Sequence, residues 1–317
     1  MWYKNLRIYQ ITRDIEVNDT ELQAALLSRA FAPCNKHQAE SAGWISPLVD
    51  NLTFDEEAIP ELLFEKQGTN IGFKLRIQEK VLPASVVREA VEERAHSREI
   101  AEGRKIFLRE KRQLKDEIIA EMLPRAFHRS SHIKGFWDLQ RNMLLIDASS
   151  ASKAEKFLRI LRESLGSLPV IPLECKVSPA ATMTSWIQTG LDNNQLFVAD
   201  ECELRATDEE AALVRLKRQD LAAEEVQAHL NAGKQVIKLR LNWRNAIEAT
   251  LTEEGTLQRL KFSDSIKELD GSYTKEEALQ RHAHEFAVMV TEITAYIDTI
   301  ISALGGLTKT DWNEATE

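Results

Sequence analysis

The sequence LVRLKRQDLAAEEVQAHLNAGKQVIKLRLNW, residues 213–243, indicates a strand, a helix and a second strand in succession. Two segments of alternating polarity flank a segment in which Leu221, Val226 and Leu230 recur at helical spacing. Asp220 is placed to cap this helix, and Gly233 to end it. The stretch therefore predicts a βαβ unit.

Both predicted strands have an apolar face and a cationic face, because successive side chains of a strand point to opposite sides. The predicted apolar face consists of Val214, Leu216, Ile237, Leu239 and Leu241. The opposite face and the residues that follow it comprise Arg215, Lys217, Arg218, Gln219, Lys234, Val236, Lys238 and Arg240. Such a face is either an ordinary solvated surface or a surface that follows the phosphates of a nucleic acid.

Composition limits where a basic surface can lie. The chain has 317 residues, of which 43% are hydrophobic and 29% charged, so it is long enough for two domains or one large one. Its formal net charge of -9 excludes a protein that is basic all over. A nucleic-acid surface must be local, with acidic residues concentrated elsewhere, around Glu56, around Asp208 and in the tail ending at Glu317.

The cysteines and the hydropathy pattern indicate a cytoplasmic protein. Cys34, Cys175 and Cys202 are odd in number and form no CxxC pair, which is typical of a reducing compartment. The start, MWYKNLRIYQ, has no apolar signal core, and no run approaches the roughly 18 apolar residues of a membrane span. We therefore expect neither secretion nor a membrane partner.

Sequence motifs for catalysis are missing. There is no glycine-rich phosphate-binding loop and no framed nucleophile. His128 and His132 have metal-compatible spacing if they lie on a helix, but no third ligand accompanies them. Carboxylates occur in surface-like runs and not as the isolated acids of a two-metal nuclease. The sequence predicts no enzyme, no metal and no cofactor.

A second cationic strand lies nearer the start of the chain. In residues 70–80, Lys74 and Arg76 alternate with Phe73, Leu75 and Ile77. Residues 75–91 align with 214–230, and residues 5–11 with 142–148, each followed by a predicted helix. This is either a real repeat or a coincidence of βαβ periodicity. A real repeat predicts an α+β protein of two similar halves, near residues 1–95 and 138–245, that form a two-lobed arc, each half turning a basic sheet face inward.

Between the halves, residues 83–123 are predicted to form a projecting arm of two antiparallel helices, joined near His96 to Gly103 and with little core of its own. Its second half is rich in cations, namely Arg104, Lys105, Arg109, Lys111, Arg112 and Lys115. These belong either to a solvated surface or to a grip on a polyanion. The predicted division is thus a first lobe (1–82), the arm (83–123), a second lobe with the basic face (124–245), and a C-terminal hairpin and helix (246–317).

Two further features concern packing. Phe127 lies among Arg125, His128 and Arg129, where an aromatic side chain can stack on bases, anchor a partner or, most commonly, fold back into the core. The C-terminal helix has a broad apolar stripe from Phe286 to Leu304, which predicts core packing first and a subunit interface second.

Several segments together resemble the bacterial recombination-associated RdgC family, in that family's order. They are MWYKNLRIYQ at the start, AFAPC with GWISP, LPRAF, LRESLGSLPVIPL, KRQDL, AGKQVIKL and LQRLKF. The resemblance covers essentially the whole chain, and its specificity lies in the combination. The acidic connector from Asp50 to Gly68 is the least family-like part.

The resemblance implies a protein without catalytic activity whose two horseshoe subunits form a ring around duplex DNA, without sequence preference, and restrain RecA-promoted strand exchange. Single-stranded DNA is a further expected ligand, and the expected location is the cytoplasm, on the nucleoid. Phe127 corresponds to a dimer-interface residue, and Arg218, Gln219 and Lys234 correspond to residues lining the hole. The full set of expected DNA contacts is Lys74, Arg76, Arg215, Lys217, Arg218, Gln219, Lys234, Lys238 and Arg240, with Arg104, Lys105, Arg109, Lys111 and Arg112 on the arm or finger. The alternative is a structural adaptor that binds an acidic protein partner through its basic sheet faces.

Overall fold

The computed structural model describes residues 2–13, 15, 17–48, 62–267 and 275–308, and the side chains of 275–278 are not included. The acidic segments predicted around Glu56 and at the tail ending at Glu317 lie outside this range. The strands are β1 (Leu6–Ile11), β2 (Glu40–Ile45), β3 (Phe64–Gln67), β4 (Asn70–Val81), β5 (Phe127–Asp138), β6 (Met143–Asp147), β7 (Val170–Pro172), β8 (Leu196–Arg205), β9 (Leu213–Lys217), β10 (Gln235–Trp243), β11 (Ile247–Thr252) and β12 (Leu257–Phe262). The helices are α1 (Asp19–Leu27), α2 (Ala84–Glu102), α3 (Leu108–Met122), α4 (Ala151–Leu165), α5 (Pro179–Thr189), α6 (Glu224–Asn231), α7 (Asp264–Lys267) and α8 (Lys275–Ala303).

The described strands form one antiparallel sheet in the order β2-β4-β5-β6-β1-β12-β11-β10-β8-β9, with β3 paired to β4 and β7 paired to β1. Strand β1 joins the two sides of this sheet, because Leu6 is the partner of Asp147 on β6 and of Leu257 on β12. The prediction of a mixed α and β protein with a C-terminal helix is confirmed, and its sheet is large and continuous.

Two hydrophobic cores lie on opposite faces of the sheet, and β1 contributes to both. Tyr9 and Ile11 belong to the first core, whereas Leu6 and Ile8 belong to the second, as expected for alternating side chains. The first core lies between the sheet and helices α1 and α4, and the second lies between the sheet and helices α5, α6 and α8. Helices therefore cover one face of the sheet at one of its ends and the opposite face at the other end.

The first core also contains elements from beyond the arm. Strand β6 pairs with β1 and β5, and helix α4 packs beside α1 and contributes Phe157 and Leu158 to this core. The division at residue 124 that the sequence predicts therefore runs across this core. The two strand–helix units aligned at residues 5–11 and 142–148 lie side by side in it, on the neighbouring strands β1 and β6.

The predicted βαβ unit is confirmed as β9, α6 and β10, but β8 lies between its two strands. Helix α6 begins at Glu224, later than the sequence predicts, because the Asp220 carboxylate accepts a hydrogen bond from the Ala222 amide (2.9 Å) and caps a preceding turn. Gly233 follows the helix with a positive φ of 86°, which suits glycine and ends the helix as expected.

Strand β10 departs from the predicted alternation near its start. Val236 is fully buried in the second core together with Leu239 and Leu241, although the sequence pattern assigns it to the cationic face. A register shift in the pairing with β8 lies between Val236 and Lys238. This irregularity of the β-bulge type changes the face on which Val236 lies. The prediction that Val236 lies on the cationic face is therefore wrong.

Helices α2 and α3 pack against each other and are joined by residues 103–107, later in the chain than predicted. Gly103 has a φ of 63° and ends α2 in the left-handed conformation. The pair has small cores of its own, one from Val87, Val91 and Ile118 and another from Ala95, Ile106 and Leu114. The internal core of the helix pair is thus limited to two small clusters.

Helix α8 is packed as predicted. Residues Leu279–Ala303 are long and apolar enough to cross a membrane by length and composition alone. In the fold, Met289, Ile293 and Tyr296 are instead fully buried in the second core. The helix reaches across to β4, where a Cβ on Gly72 would lie 2.8 Å from the Phe286 ring.

An ion-pair network attaches α8 to the β5–β6 turn. The Arg141 guanidinium donates to the buried Asp138 carboxylate (2.9 Å) and, through two nitrogens, to Asp298 of α8 (2.6 and 3.0 Å). These carboxylates raise the pKa of Arg141 above its ordinary value, with Asp298 contributing most. The arginine therefore stays charged and compensates a carboxylate that is shielded from water.

Replacing Arg141 with alanine should lower the free energy of unfolding by about 1 to 3 kcal/mol, because Asp138 loses its charged partner. The partial exposure of Asp298 keeps the value below that of a fully buried pair. Urea denaturation measures the change. Arg129→Ala removes the exposed pair with Glu79 (3.1 Å) and is the matched control, with an expected change below about 0.5 kcal/mol. Equal effects of the two variants would contradict the buried network.

Candidate nucleic-acid interface

The cations of β9 and β10 lie on the sheet face opposite the second core, as predicted, but acidic side chains accompany them. Arg215 and Lys238 both bind Glu203 of β8 (3.1 and 2.8 Å). Arg240 binds Glu248 of β11 (3.0 Å). The face is therefore a lattice of ion pairs, which corrects the expectation of a uniformly cationic surface.

The glutamates on this face come from strands outside residues 213–243, so the sequence of that stretch does not predict them. Glu201 and Glu203 alternate on β8, and β8 lies between β9 and β10, so their carboxylates reach cations on both sides. A hydrogen bond from Arg259 (2.6 Å) lowers the pKa of Glu201, and the charges of Lys217 and Arg240 add to this effect. Glu201 is thus ionised at neutral pH and offsets part of the positive charge.

Arg218 and Lys234 have no ion pair among the residues that the structure describes, in contrast to Arg215, Lys238 and Arg240. Arg218 is exposed and has a left-handed backbone (φ 53°) just after β9, and Lys234 is half-buried just before β10. Because Gln219 bonds to Asp200 and Gln235 pairs with Arg205, Arg218 lies beside the middle of β8 and Lys234 beside its C-terminal end. At about 3.3 Å per residue, they are about 20 Å apart.

Two other predicted contacts on this part of the sheet have acidic neighbours. The Gln219 side-chain amide donates to Glu225 of α6 (2.7 Å). Lys217 lies directly opposite Glu201 in the β8–β9 ladder and lowers its pKa. Arg218 and Lys234 are consequently the least neutralised members of the predicted set on these strands.

Lys74 and Arg76 of β4 do not join that face. Cross-strand partners lie on the same side of a sheet. A series of cross-strand pairs leads from Lys74 to Leu239, through Lys134, Asp147, Leu6, Leu257 and Leu251. Leu239 points into the second core. The two predicted basic faces therefore lie on opposite sides of one sheet, and not on a common inner face.

Burial also separates Lys74 from the predicted role. Only 1% of its surface is exposed, which corrects its prediction as a phosphate contact. Arg76 is half-buried, donates to the Ser130 hydroxyl (3.1 Å) and lies 4.6 Å from the centre of the Phe31 ring. Both side chains are built into the sheet.

The cations of the helix pair differ in their surroundings. Arg104 binds Glu102 and Glu110 (2.7 Å each), and this pairing lowers the pKa of Glu110 to about 2. Lys105 and Arg109 are exposed at the junction end. Lys111 and Arg112 line a groove between α2 and α3. Arg104 is thus the most neutralised of the five predicted arm contacts.

Phe127 is 86% exposed at the first position of β5, where it pairs with the exposed Val81 at the end of β4. The interpretation of Phe127 as a core residue is therefore wrong. A phenylalanine in this position exposes a large apolar surface to water, as interface anchors do before their partner binds.

The structure adds little that points to catalysis. No group of three or more His, Cys, Asp or Glu side chains converges within residues 2–13, 15, 17–48, 62–267 and 275–308. His128 and His132 lie on strand β5 and not on a helix, about 13 Å apart along the strand, so the spacing does not bring them together. Burial raises the pKa of Cys202 to about 12, so that thiol stays protonated at neutral pH.

Comparison with known proteins gives consistent relatives. A family model described as "RdgC: Putative exonuclease, RdgC" matches residues 1–307. A protein named recombination-associated protein RdgC from Tolumonas auensis is 38% identical over 96% of this chain and 99% of its own length. Proteins of the same name from Proteus mirabilis and Salmonella typhimurium are each 35% identical over 96% of this chain, and over 99% and 98% of their own lengths.

Proposed function

Because this chain belongs to the RdgC family, a family of recombination-associated proteins, we propose that it is a DNA-binding protein that acts in homologous recombination without reading sequence. Two subunits, each a horseshoe with α2 and α3 as a projecting arm, form a ring around duplex DNA. The ring restrains strand exchange promoted by RecA, acts on the cytoplasmic nucleoid and also accepts single-stranded DNA. Phe127 belongs to one of its two interfaces.

The observation that carries this proposal is the contrast between the paired and the unpaired cations of the sheet. Most cations of the β8–β10 region already have a glutamate partner, whereas Arg218 and Lys234 have none among the described residues. Unpaired cations are free to bind phosphates, and phosphate contacts carry no sequence information. In a chain of net charge -9, a few such positions suffice if a ring holds the DNA by enclosure.

Replacing Arg218 or Lys234 with alanine should weaken DNA binding by about the same factor on unrelated sequences. Each lost phosphate contact should reduce the slope of log K against log salt by roughly 0.9. Fluorescence anisotropy with two duplexes of different sequence, over a salt series, measures both quantities. Lys238→Ala is the matched control, because Glu203 already neutralises this lysine (2.8 Å) and its loss should change the slope less.

Three outcomes would speak against phosphate contacts by these residues. A strong dependence on DNA sequence would indicate base recognition. An unchanged slope would remove Arg218 or Lys234 from the interface. Binding that resists competition by DNA and has no salt slope would favour the adaptor alternative, in which the basic faces bind an acidic protein.

The description of the family model names exonuclease activity, so hydrolysis is the second candidate function. We propose that the chain does not hydrolyse DNA, since Glu203 and Glu248 on the cationic face form ion pairs and no three His, Cys, Asp or Glu side chains converge among the described residues. Incubation of end-labelled duplex with purified protein and Mg²⁺ or Mn²⁺ tests this. Cleavage that EDTA stops, and that copurifies with the protein through successive columns, would overturn the proposal.

A further inference from the structure

The two sides of the α2–α3 helix pair differ in charge pairing. On one side, Arg94 binds Glu121 through two nitrogens (2.8 and 3.0 Å), and Arg98 approaches Glu117 (3.5 Å). The first pairing raises the pKa of Arg94 and lowers that of Glu121. This side is electrostatically satisfied within the helix pair itself.

The other side is an open groove of about 840 Å³ between the helices. Its apolar lining consists of Leu82, Ala84, Val87, Val91, Leu108 and Ile119. Its charged lining consists of Arg88, Lys111, Arg112 and Lys115, with the single acidic residue Glu92. None of the four cations forms an ion pair within the described part of the chain, and Leu108 is 79% exposed.

The chemistry of the lining defines what can fill the groove. An apolar floor removes apolar side chains from water, and unpaired cations at the edge require anionic groups. Bases of nucleic acid fit less well, because the floor is aliphatic and offers no aromatic ring for stacking. A second copy of this chain using the same groove would bring two cationic edges together, which is repulsive.

The dimensions fit a short helix. Along α3 the lining residues recur every three or four positions from Leu108 to Ile119, a length of about 16 Å at about 1.5 Å per residue. A helix that binds through apolar residues at i, i+3 or i+4, and i+7 spans roughly 10 Å between its outer anchors. Three anchors on one face of a guest helix therefore fit within the groove.

We propose that this groove binds an acidic amphipathic helix of a protein partner, with its aliphatic side chains on the apolar floor and its carboxylates on Arg88, Lys111, Arg112 and Lys115. The groove lies on the helix pair and not on the strands that hold the proposed DNA contacts Arg218 and Lys234, so this site goes beyond the proposed function. Lys111 and Arg112, which the family resemblance assigns to DNA, are assigned here to the protein partner. It gives the protein a means of binding a partner protein while DNA occupies another surface.

The test uses a fluorescein-labelled helical peptide with leucine at i, i+4 and i+7 and glutamate on its other faces, added to the full-length protein. Anisotropy should show saturable binding. Arg88→Glu with Lys115→Glu should weaken it about tenfold or more, because two attractive pairs become repulsive. Leu108→Ser should weaken it several-fold by removing exposed apolar lining.

The matched control is Lys105→Glu with Arg109→Glu, which changes the net charge by the same amount on the same helix pair but outside the groove. This control should bind the peptide as the parent protein does. Melting temperatures within about 2 °C of the parent establish that each variant is folded. A peptide with glutamine in place of glutamate, and one with the leucines scrambled, should both lose binding.

Several results would overturn the proposal. Equal weakening by the groove and control variants would mean that only overall charge matters. Equal binding of the scrambled peptide would exclude the apolar floor. The groove would be assigned to nucleic acid by two results together. Duplex DNA would displace the peptide, and the variant with Arg88→Glu and Lys115→Glu would lose affinity for DNA as much as for the peptide. Dissociation of an oligomer by the peptide would assign it to a second copy of the chain.

Discussion

Phe127→Ser should leave the protein folded and should release DNA at least about tenfold faster than the parent protein. The side chain is 86% exposed in the single chain, so its removal creates no cavity, and the melting temperature should stay within about 2 °C. If Phe127 anchors one of two ring interfaces, its loss opens that interface while the other contact keeps two subunits together. An open clamp then releases DNA sideways.

Three measurements made together separate the possibilities for Phe127. They are the melting temperature, the sedimentation mass and the rate of dissociation from closed circular DNA. Val81→Ser, which removes the exposed cross-strand neighbour of Phe127, tests whether the effect extends over the local surface. The mass of a dimer is expected to persist, so unchanged DNA release in Phe127→Ser is the result that would remove this residue from the ring interface. A drop of many degrees in melting temperature would contradict the exposure itself.

Trp243→Ala should lower the free energy of unfolding by about 3 to 5 kcal/mol, the largest stability effect expected here. The indole is 1% exposed at the end of β10, lies 5.7 Å from the Tyr296 ring of α8 and donates a hydrogen bond to Thr299 (3.1 Å). Its removal leaves a cavity between the sheet and α8, and it leaves the Thr299 hydroxyl without this donor.

Urea denaturation followed by circular dichroism measures the effect of Trp243→Ala. The control is Phe107→Ala, which removes an aromatic side chain of which 70% is exposed and should change stability by less than about 0.5 kcal/mol. A loss below about 1 kcal/mol in Trp243→Ala would mean that α8 packs on the sheet without depending on this contact. The interpretation of α8 as a core helix would then be contradicted.

The local patterns that the sequence predicts correctly are those set by neighbouring residues. Alternation in β9 places Val214 and Leu216 towards the second core, and the helical spacing of Val226 and Leu230 buries both. Gly233 ends α6 because a left-handed backbone after a helix suits glycine. Such features depend on a few consecutive residues, and the printed order of those residues contains them.

The properties of the candidate site depend on pairings between distant segments. Arg215 and Lys238 bind Glu203 only because β8 lies between β9 and β10, and nothing in residues 213–243 indicates that strand order. The burial of Lys74 likewise follows from its place on the second-core face of the sheet. Charge on one strand therefore did not predict the charge of the surface.

The sequence by itself determined the family, the α and β class, the βαβ unit and the helix pair, since these rest on composition, segment order and short-range periodicity. Tertiary structure alone decided that Arg218 and Lys234 have no ion pair among the described residues, that the two basic strand faces lie on opposite sides of one sheet, and that Phe127 is exposed. The physical reason is range. Periodicity fixes which side chains share a face, whereas neutralisation and burial depend on what packs against that face, and strand register decides this over separations of tens to hundreds of residues.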